Sequence, residues 1–123
     1  MQKLIDIWRV ENSDGDGPYK GGSPVAKLLE EIPTAQAPLP MQDNKLLGIF
    51  GRAVTYPGYS FGFSSLESYN AWFSNPKHQN ALKESGYFLA QYQVNQHSIR
   101  HGSAQLLFKK EDAALIRKLS CII

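Results

Sequence analysis

Leu4-Ile5-Asp6-Ile7-Trp8-Arg9-Val10, followed at once by Glu11-Asn12-Ser13-Asp14-Gly15-Asp16-Gly17-Pro18-Tyr19, reads as a short apolar strand running into an acidic glycine turn. Side chains alternate along a strand, so Arg9 shares a face with Ile5 and Ile7. Burying a guanidinium on such a face is costly unless it meets an anion or a carboxylate. Arg9 is therefore the residue to explain. It either clamps an anionic ligand bidentately or pairs with Glu11, two residues along on the same face.

Outward from this strand, glycines at 15, 17, 21 and 22 and Pro18 make the segment from Glu11 to Gly22 a loop. Ser23-Pro24 then opens a helix, with Ser23 as N-cap and Pro24 at the first helical position. Val25, Leu28, Leu29 and Ile32 form one apolar helical face, and Pro33 ends it. Residues 33–43 carry three prolines and read as an extended arm or lid. Leu46 to Phe50 is a short strand or a helical turn.

Ser64 with Glu67 three residues later fits a capping box opening a helix from Ser65 to about Phe73, with Leu66, Tyr69 and Trp72/Phe73 inward. Asn75-Pro76 starts a second helix that Gly86 stops. Tyr87 to Val94 and Ser103 to Lys109 read as strands joined by a polar loop. Phe88, Ala90, Tyr92 and Val94 share one face of the first, and Ala104, Leu106 and Phe108 one face of the second. Asp112 is expected to cap a last helix through about Leu119. This order predicts a single α+β domain over 1–123, with a small, mainly antiparallel sheet and helices packed on one side.

The chain is long enough for one core, and 42% hydrophobic with 20% charged residues argues against wholesale disorder. No apolar run approaches the roughly 20 residues that cross a bilayer, and no signal-peptide pattern opens the chain, so no membrane association is expected. Residues 1–43 carry a charge balance of −3 and residues 44–123 one of +5. The basic residues are scattered, without an aromatic-interleaved run, which argues against general nucleic-acid binding. The single cysteine, Cys121, cannot form an internal disulfide and reads as a packing residue in a reducing compartment.

Other residues admit a bland and a functional reading. Asn12-x-Asp14-x-Asp16-Gly17 imitates half of a calcium loop, but Ser23 stands where the bidentate Glu is needed, so a turn is the better reading. Tyr59, Phe61 and Phe63 alternate, as core residues of a short strand or as an aromatic face for a planar ring. Ser64 and Ser65 are helix caps whose free amides could also meet a phosphate. His78, His97 and His101 lack metal-site spacing, and no metal is expected.

Several short motifs span most of the chain: Trp8-Arg9-Val10-Glu11, Gly17-Pro18-Tyr19, Pro38-x-Pro40-x-x-Asp43, Gly62-Phe63-x-Ser65-Leu66-Glu67, Trp72-Phe73, Gly86-Tyr87, Tyr92-x-Val94 and Gln105-Leu106-Leu107-Phe108. Together they resemble a family of small proteins encoded by bacteriophages and prophages. The resemblance implies residence in the cytoplasm of a bacterial host and no particular activity.

A second resemblance is to the ADP-ribosyltransferase-like fold. It implies Arg9 as the first-strand residue, Ser64 or Ser65 as the middle one, and Gln105 where members carry a late-strand Glu. A neutral amide can hydrogen-bond a ribose but cannot stabilise an oxocarbenium-like state by charge. An enzyme would then need Glu11 or Glu67 in that role.

Two functions follow. One is a non-catalytic accessory protein that binds a host component: a defence or regulatory protein, or an NAD-derived nucleotide held by Arg9, Tyr19, Phe63, Ser64, Ser65 and Gln105. The other is an ADP-ribosyl-transferring or NAD-cleaving enzyme using Arg9, Glu11, Ser65, Glu67 and Gln105. The first is favoured, with no obligatory cofactor and an NAD or ADP-ribose-type ligand as the nucleotide option. The oligomeric state is left open.

Overall fold

The structure is a computed structural model that describes residues 3–18, 24–32, 59–102 and 105–122. The opening strand is β1 (Leu4–Glu11), and α1 (Pro24–Leu29) follows. After β2 (Tyr59–Gly62) come α2 (Leu66–Trp72), α3 (Pro76–Glu84) and β3 (Phe88–Asn95). A 3-10 turn, Gln96–Ser98, leads into β4 (Ile99–His101), then β5 (Leu106–Lys109), a second 3-10 turn, Lys110–Asp112, and β6 (Ala114–Leu119).

Among the described residues, the expected single sheet is two three-stranded sheets, ordered β1-β3-β6 and β2-β5-β4, with every pairing antiparallel. A backbone bridge joins them. Trp8 and Phe63 exchange both N–H···O bonds, at 3.0 and 2.7 Å. Gly62 lies at the corner this creates: a Cβ there would stand 2.5 Å from the Ile7 Cγ2 and 3.1 Å from the Phe108 ring. Only a bare α-carbon lets the two strands come so close.

The period-2 patterns set the layers. Ile7, Ala90, Tyr92 and Val94 face inward onto Ile99, Leu106 and Phe108 of the second sheet. The opposite face of the first sheet aligns Val10, Leu89 and Leu119 across its three strands. These pack on the helices through Val25, Leu29, Tyr69, Trp72, Phe73 and Leu82. Helices therefore lie on one side of the β1-β3-β6 sheet, and the second sheet covers its other side.

Several local readings hold. Val25 and Leu29 are buried and Ile32 packs against the helical core, as the helical spacing requires. Asn75 caps α3 by accepting from the Lys77 amide, and Gly86 follows its C-terminus at φ 87°. Gln79 ties α3 to the end of α2, donating to the Phe73 carbonyl at 2.7 Å and to Asn70 Oδ1 at 3.0 Å. The Ser23 cap, the Pro-rich arm at 33–43, Leu46–Phe50 and Ala104 lie outside the described residues.

Two readings are corrected. The helix expected from Asp112 to Leu119 is a 3-10 turn followed by strand β6. Its short apolar run, Ala113 to Ile116 with Leu119, fits either period, and a run of that length does not decide between them. The fold decides, because β3 is the central strand and its second edge needs a hydrogen-bonding partner. The polar connection from Val94 to Gly102 likewise contains a turn and a short strand, β4, which pairs with β5 through Ile99, Arg100 and His101.

Candidate functional site

β1 delivers Arg9 and Glu11 to the inner face of the first sheet, both more than nine-tenths buried. Arg9 Nε donates to Glu11 Oε1 at 3.1 Å. Its Nη1 donates to the Phe61 carbonyl at 3.1 Å, and its Nη2 to the Gly15 carbonyl at 3.2 Å. Glu11 also accepts from the Tyr92 hydroxyl, at 2.9 and 2.8 Å to its two oxygens. Lys110 Nζ stands 3.1 Å from Glu11 Oε1, 3.4 Å from the Gly15 carbonyl and 5.7 Å from the Tyr92 ring centre. One carboxylate thus serves two cations and a phenol.

Burial pulls the Arg9 guanidinium below its ordinary range, and the charge of Glu11 is the main force opposing that. Burial also raises the Tyr92 phenol, and its hydrogen bond to Glu11 adds to the rise. Tyr92 is therefore a fixed proton donor at neutral pH. A buried ion pair supplied with this many hydrogen bonds is expensive to break and holds its surroundings in one arrangement.

The acidic turn folds around its own first residue. Asn12 Oδ1 accepts from the amides of Asp14 and Asp16, both at 3.0 Å, and the Asn12 amide donates to the Asp16 carbonyl at 3.0 Å. The carboxamide that would be the first ligand of a calcium loop is thereby spent on the turn itself. Gly15 has φ 82°, and a Cβ there would lie 2.8 Å from Lys110 Nζ. Glycine at this position lets the carbonyl reach both cations at once.

Beside this network, Arg9, the Gly15–Pro18 segment and Tyr59, Ser60 and Phe61 of β2 enclose an open cleft of about 330 Å³. A second cavity of about 30 Å³ lies deeper, with Arg9, Phe63, Trp72, Phe73 and Gln105 among its walls. It is too small for more than a water molecule or two.

The structure brings only some of the sequence candidates together. Arg9 and Gln105 are both buried and share the small cavity. Phe63 belongs to an edge-to-face aromatic cluster with Tyr69, Trp72 and Phe73, at 5.5–6.3 Å between ring centres. It is a core residue first. The cap of α2 is Ser65 and not Ser64: the Ser65 hydroxyl accepts from the Ser68 amide at 3.0 Å. Ser64 is exposed and Glu67 is exposed in the first turn of α2. Ser64, Ser65 and Glu67 line neither cavity. Tyr19 lies outside the described residues.

Sequence reasoning missed Tyr92 and Lys110 as partners of Glu11. Tyr92 was legible as an inward residue of its strand, but its meeting with Glu11 depends on the β1–β3 register, which places Ile7 opposite Tyr92. Lys110 follows β5 in a different sheet, and nothing in its local sequence marks it.

Away from the cleft, His78 Nε2 is 3.2 Å from Glu31 Oε2 and Lys77 Nζ is 3.4 Å from Glu31 Oε1. The His78 hydrogen bond, with help from Lys77, keeps the Glu31 carboxyl below its usual range. This cluster joins the end of α1 to the start of α3. Cys121 is fully buried, its carbonyl accepts from the Tyr69 hydroxyl at 2.6 Å, and burial pushes its thiol up to about 11. Among the described residues, no group of three or more His, Cys, Asp or Glu could hold a metal ion, and no helix is long and apolar enough to cross a membrane.

A family model described as Bacteriophage T4 Y00F protein matches residues 1–122 of the chain. No curated protein and no solved structure matches it, so the likeness to the ADP-ribosyltransferase fold gains no support from known structures.

Proposed function

The chain belongs to the bacteriophage T4 Y00F family, and from that premise we propose that it is a phage accessory protein that acts on its bacterial host by binding a host protein, without catalysis. The observation that carries the reading is how the network around Glu11 is used. Arg9 already donates to Glu11, Phe61 and Gly15, and Glu11 is engaged by Arg9, Lys110 and Tyr92. These groups hold the Gly15 turn against β2 and so shape the cleft wall. They are not poised to hold a phosphate or to stabilise an oxocarbenium-like state.

The walls suit recognition of a protein surface. Pro18, Tyr59 and Phe61 supply apolar and aromatic area, while Asp16, Ser60 and backbone groups supply polar contacts. The enzymatic alternative would need a carboxylate free to act beside Arg9. Glu11 is locked, and Glu67 lines neither cavity. A nucleotide remains a competing occupant, and the same experiment addresses it.

The test immobilises the full chain and exposes it to extract of the bacterial host, beside the variants Tyr59→Ala and Asp16→Lys. The expected result is one host protein retained in stoichiometric amount by the natural chain and lost from both variants, each of which still unfolds cooperatively in urea. In parallel, NAD incubated with the protein should remain intact. Release of nicotinamide, or equal retention by the cleft variants, would overturn the proposal.

A further inference from the structure

We infer that a second copy of the chain docks on the outer edge of β6, strand against strand, about a two-fold axis at Ala114. The inference is independent of what fills the cleft. β6 is the outer strand of the β1-β3-β6 sheet, and residues 114–118 are all exposed. Leu115 and Ile116 are neighbours there, each 48% exposed. The chain itself thus leaves this edge uncovered, and an uncovered strand edge is a template for another strand.

Charge order along the segment selects the occupant. Glu111-Asp112-Ala113-Ala114-Leu115-Ile116-Arg117-Lys118 has two acids before an apolar centre and two bases after it. Such an order complements its own reverse, and antiparallel pairing about a two-fold axis sets it against its reverse. Among the described residues, no ion pair takes up any of these four charges. Arg117 Nε donates to the neutral Gln91 Oε1 at 2.6 Å, which leaves both Nη groups for another acceptor. Lys118 Nζ lies 4.6 Å from the centre of the Phe88 ring. Asp112, exposed like Glu111, accepts from the Ser98 hydroxyl at 3.0 Å and meets no cation.

The irregularity in β6 supplies the register. Against β3, Arg117 faces Gln91 and Leu115 faces Tyr92, two consecutive residues, so Ile116 is passed over. With the axis at Ala114, the same skip sets Leu115 opposite Ala113, Arg117 opposite Asp112 and Lys118 opposite Glu111 of the second copy. A regular strand with that axis would set Ile116 against Asp112 and Lys118 against Lys110, which wastes an acid and opposes two cations. The ladder is short, Ala113 to Leu115, because Lys110–Asp112 is a 3-10 turn from which the two acids reach by side chain. Pairing joins the two β1-β3-β6 sheets into one of six strands. Exposed charges of this kind fix register and partner more than they add affinity, so the association is weak and salt-sensitive.

Analytical ultracentrifugation of the full chain over a concentration series should show a monomer–dimer equilibrium that weakens with added salt. Two double variants isolate the charges. Arg117→Glu with Lys118→Glu makes the segment wholly acidic, and Glu111→Lys with Asp112→Lys makes it wholly basic. Each alone should self-associate at least about tenfold more weakly than the natural chain, while their equimolar mixture should form a 1:1 dimer. Ala114→Cys should oxidise to a disulfide-linked dimer, because facing α-carbons at the axis lie about 4.5–5.5 Å apart. Lys83→Cys, exposed on α3, should do so far more slowly. Cys121 is fully buried and stays out of this readout. A chain that is monomeric at every concentration, or a dimer indifferent to both charge reversals, would overturn the inference. So would a mixture that associates no better than its parts, or Ala114→Cys linking no faster than Lys83→Cys.

Discussion

At the scale of single residues, Arg9 shows how a sequence anomaly becomes a structural requirement. A cation on the apolar face of a strand needs an anion, and the sequence offered Glu11 two residues on. The structure adds Lys110 and Tyr92, so removing Glu11 would strand two cations and a phenol together. Glu11→Ala is expected to destabilise the fold by about 3–5 kcal/mol, the usual cost of breaking a buried pair from one side. The lower end is the better expectation, because the Lys110 side chain keeps a third of its exposure. Glu11→Gln keeps an acceptor for Tyr92 and should cost less. Urea titration of both variants checks the order, and equal stability of Glu11→Ala and the natural chain would dismiss the network as a structural element.

At the scale of elements, local chemistry was readable where one end of a helix or one face of a strand decides it. Pro24, Pro76 and Gly86 mark boundaries because proline and glycine act through their own backbone. The start of α2 was displaced by one residue, since Ser64 and Ser65 offer the same hydroxyl and only the geometry says which meets the amide three positions on. Ser65→Ala should therefore cost about 1 kcal/mol, the usual value of an N-cap. Ser64→Ala, at an exposed position with no such bond, should stay within about 0.5 kcal/mol. Denaturation midpoints of the two variants decide between the caps. The reverse order would restore the Ser64–Glu67 capping box. Strand β6 marks the opposite limit: its periodicity is short and ambiguous, and the vacant edge of β3 set its conformation.

At the scale of the whole molecule, the buried hydroxyl and thiol groups make stability fall in alkali. Burial raises the Cys121 thiol from 9.0 to about 11, and burial likewise raises the Tyr69 and Tyr92 phenols above their ordinary 10.0. Between the unfolded and folded values the unfolded chain gives up protons that the native protein keeps. The stabilisation is thus complete below about pH 9 and is lost as pH climbs through 11. Urea midpoints measured from pH 8 to 11 should decline throughout the upper part of that range, and a flat profile would contradict these burials. The α+β class, the first strand with its problem cation, the two middle helices and the inward face of β3 were all legible in the linear chain. Each follows from periodicity or from backbone chemistry within a few residues. That the described strands form two sheets joined at Trp8 and Phe63, that β6 is a strand, and that Glu11 is shared with Tyr92 and Lys110 emerged only in three dimensions. Those outcomes depend on register and edge pairing between segments up to 99 residues apart, and no local run of side chains encodes such distances.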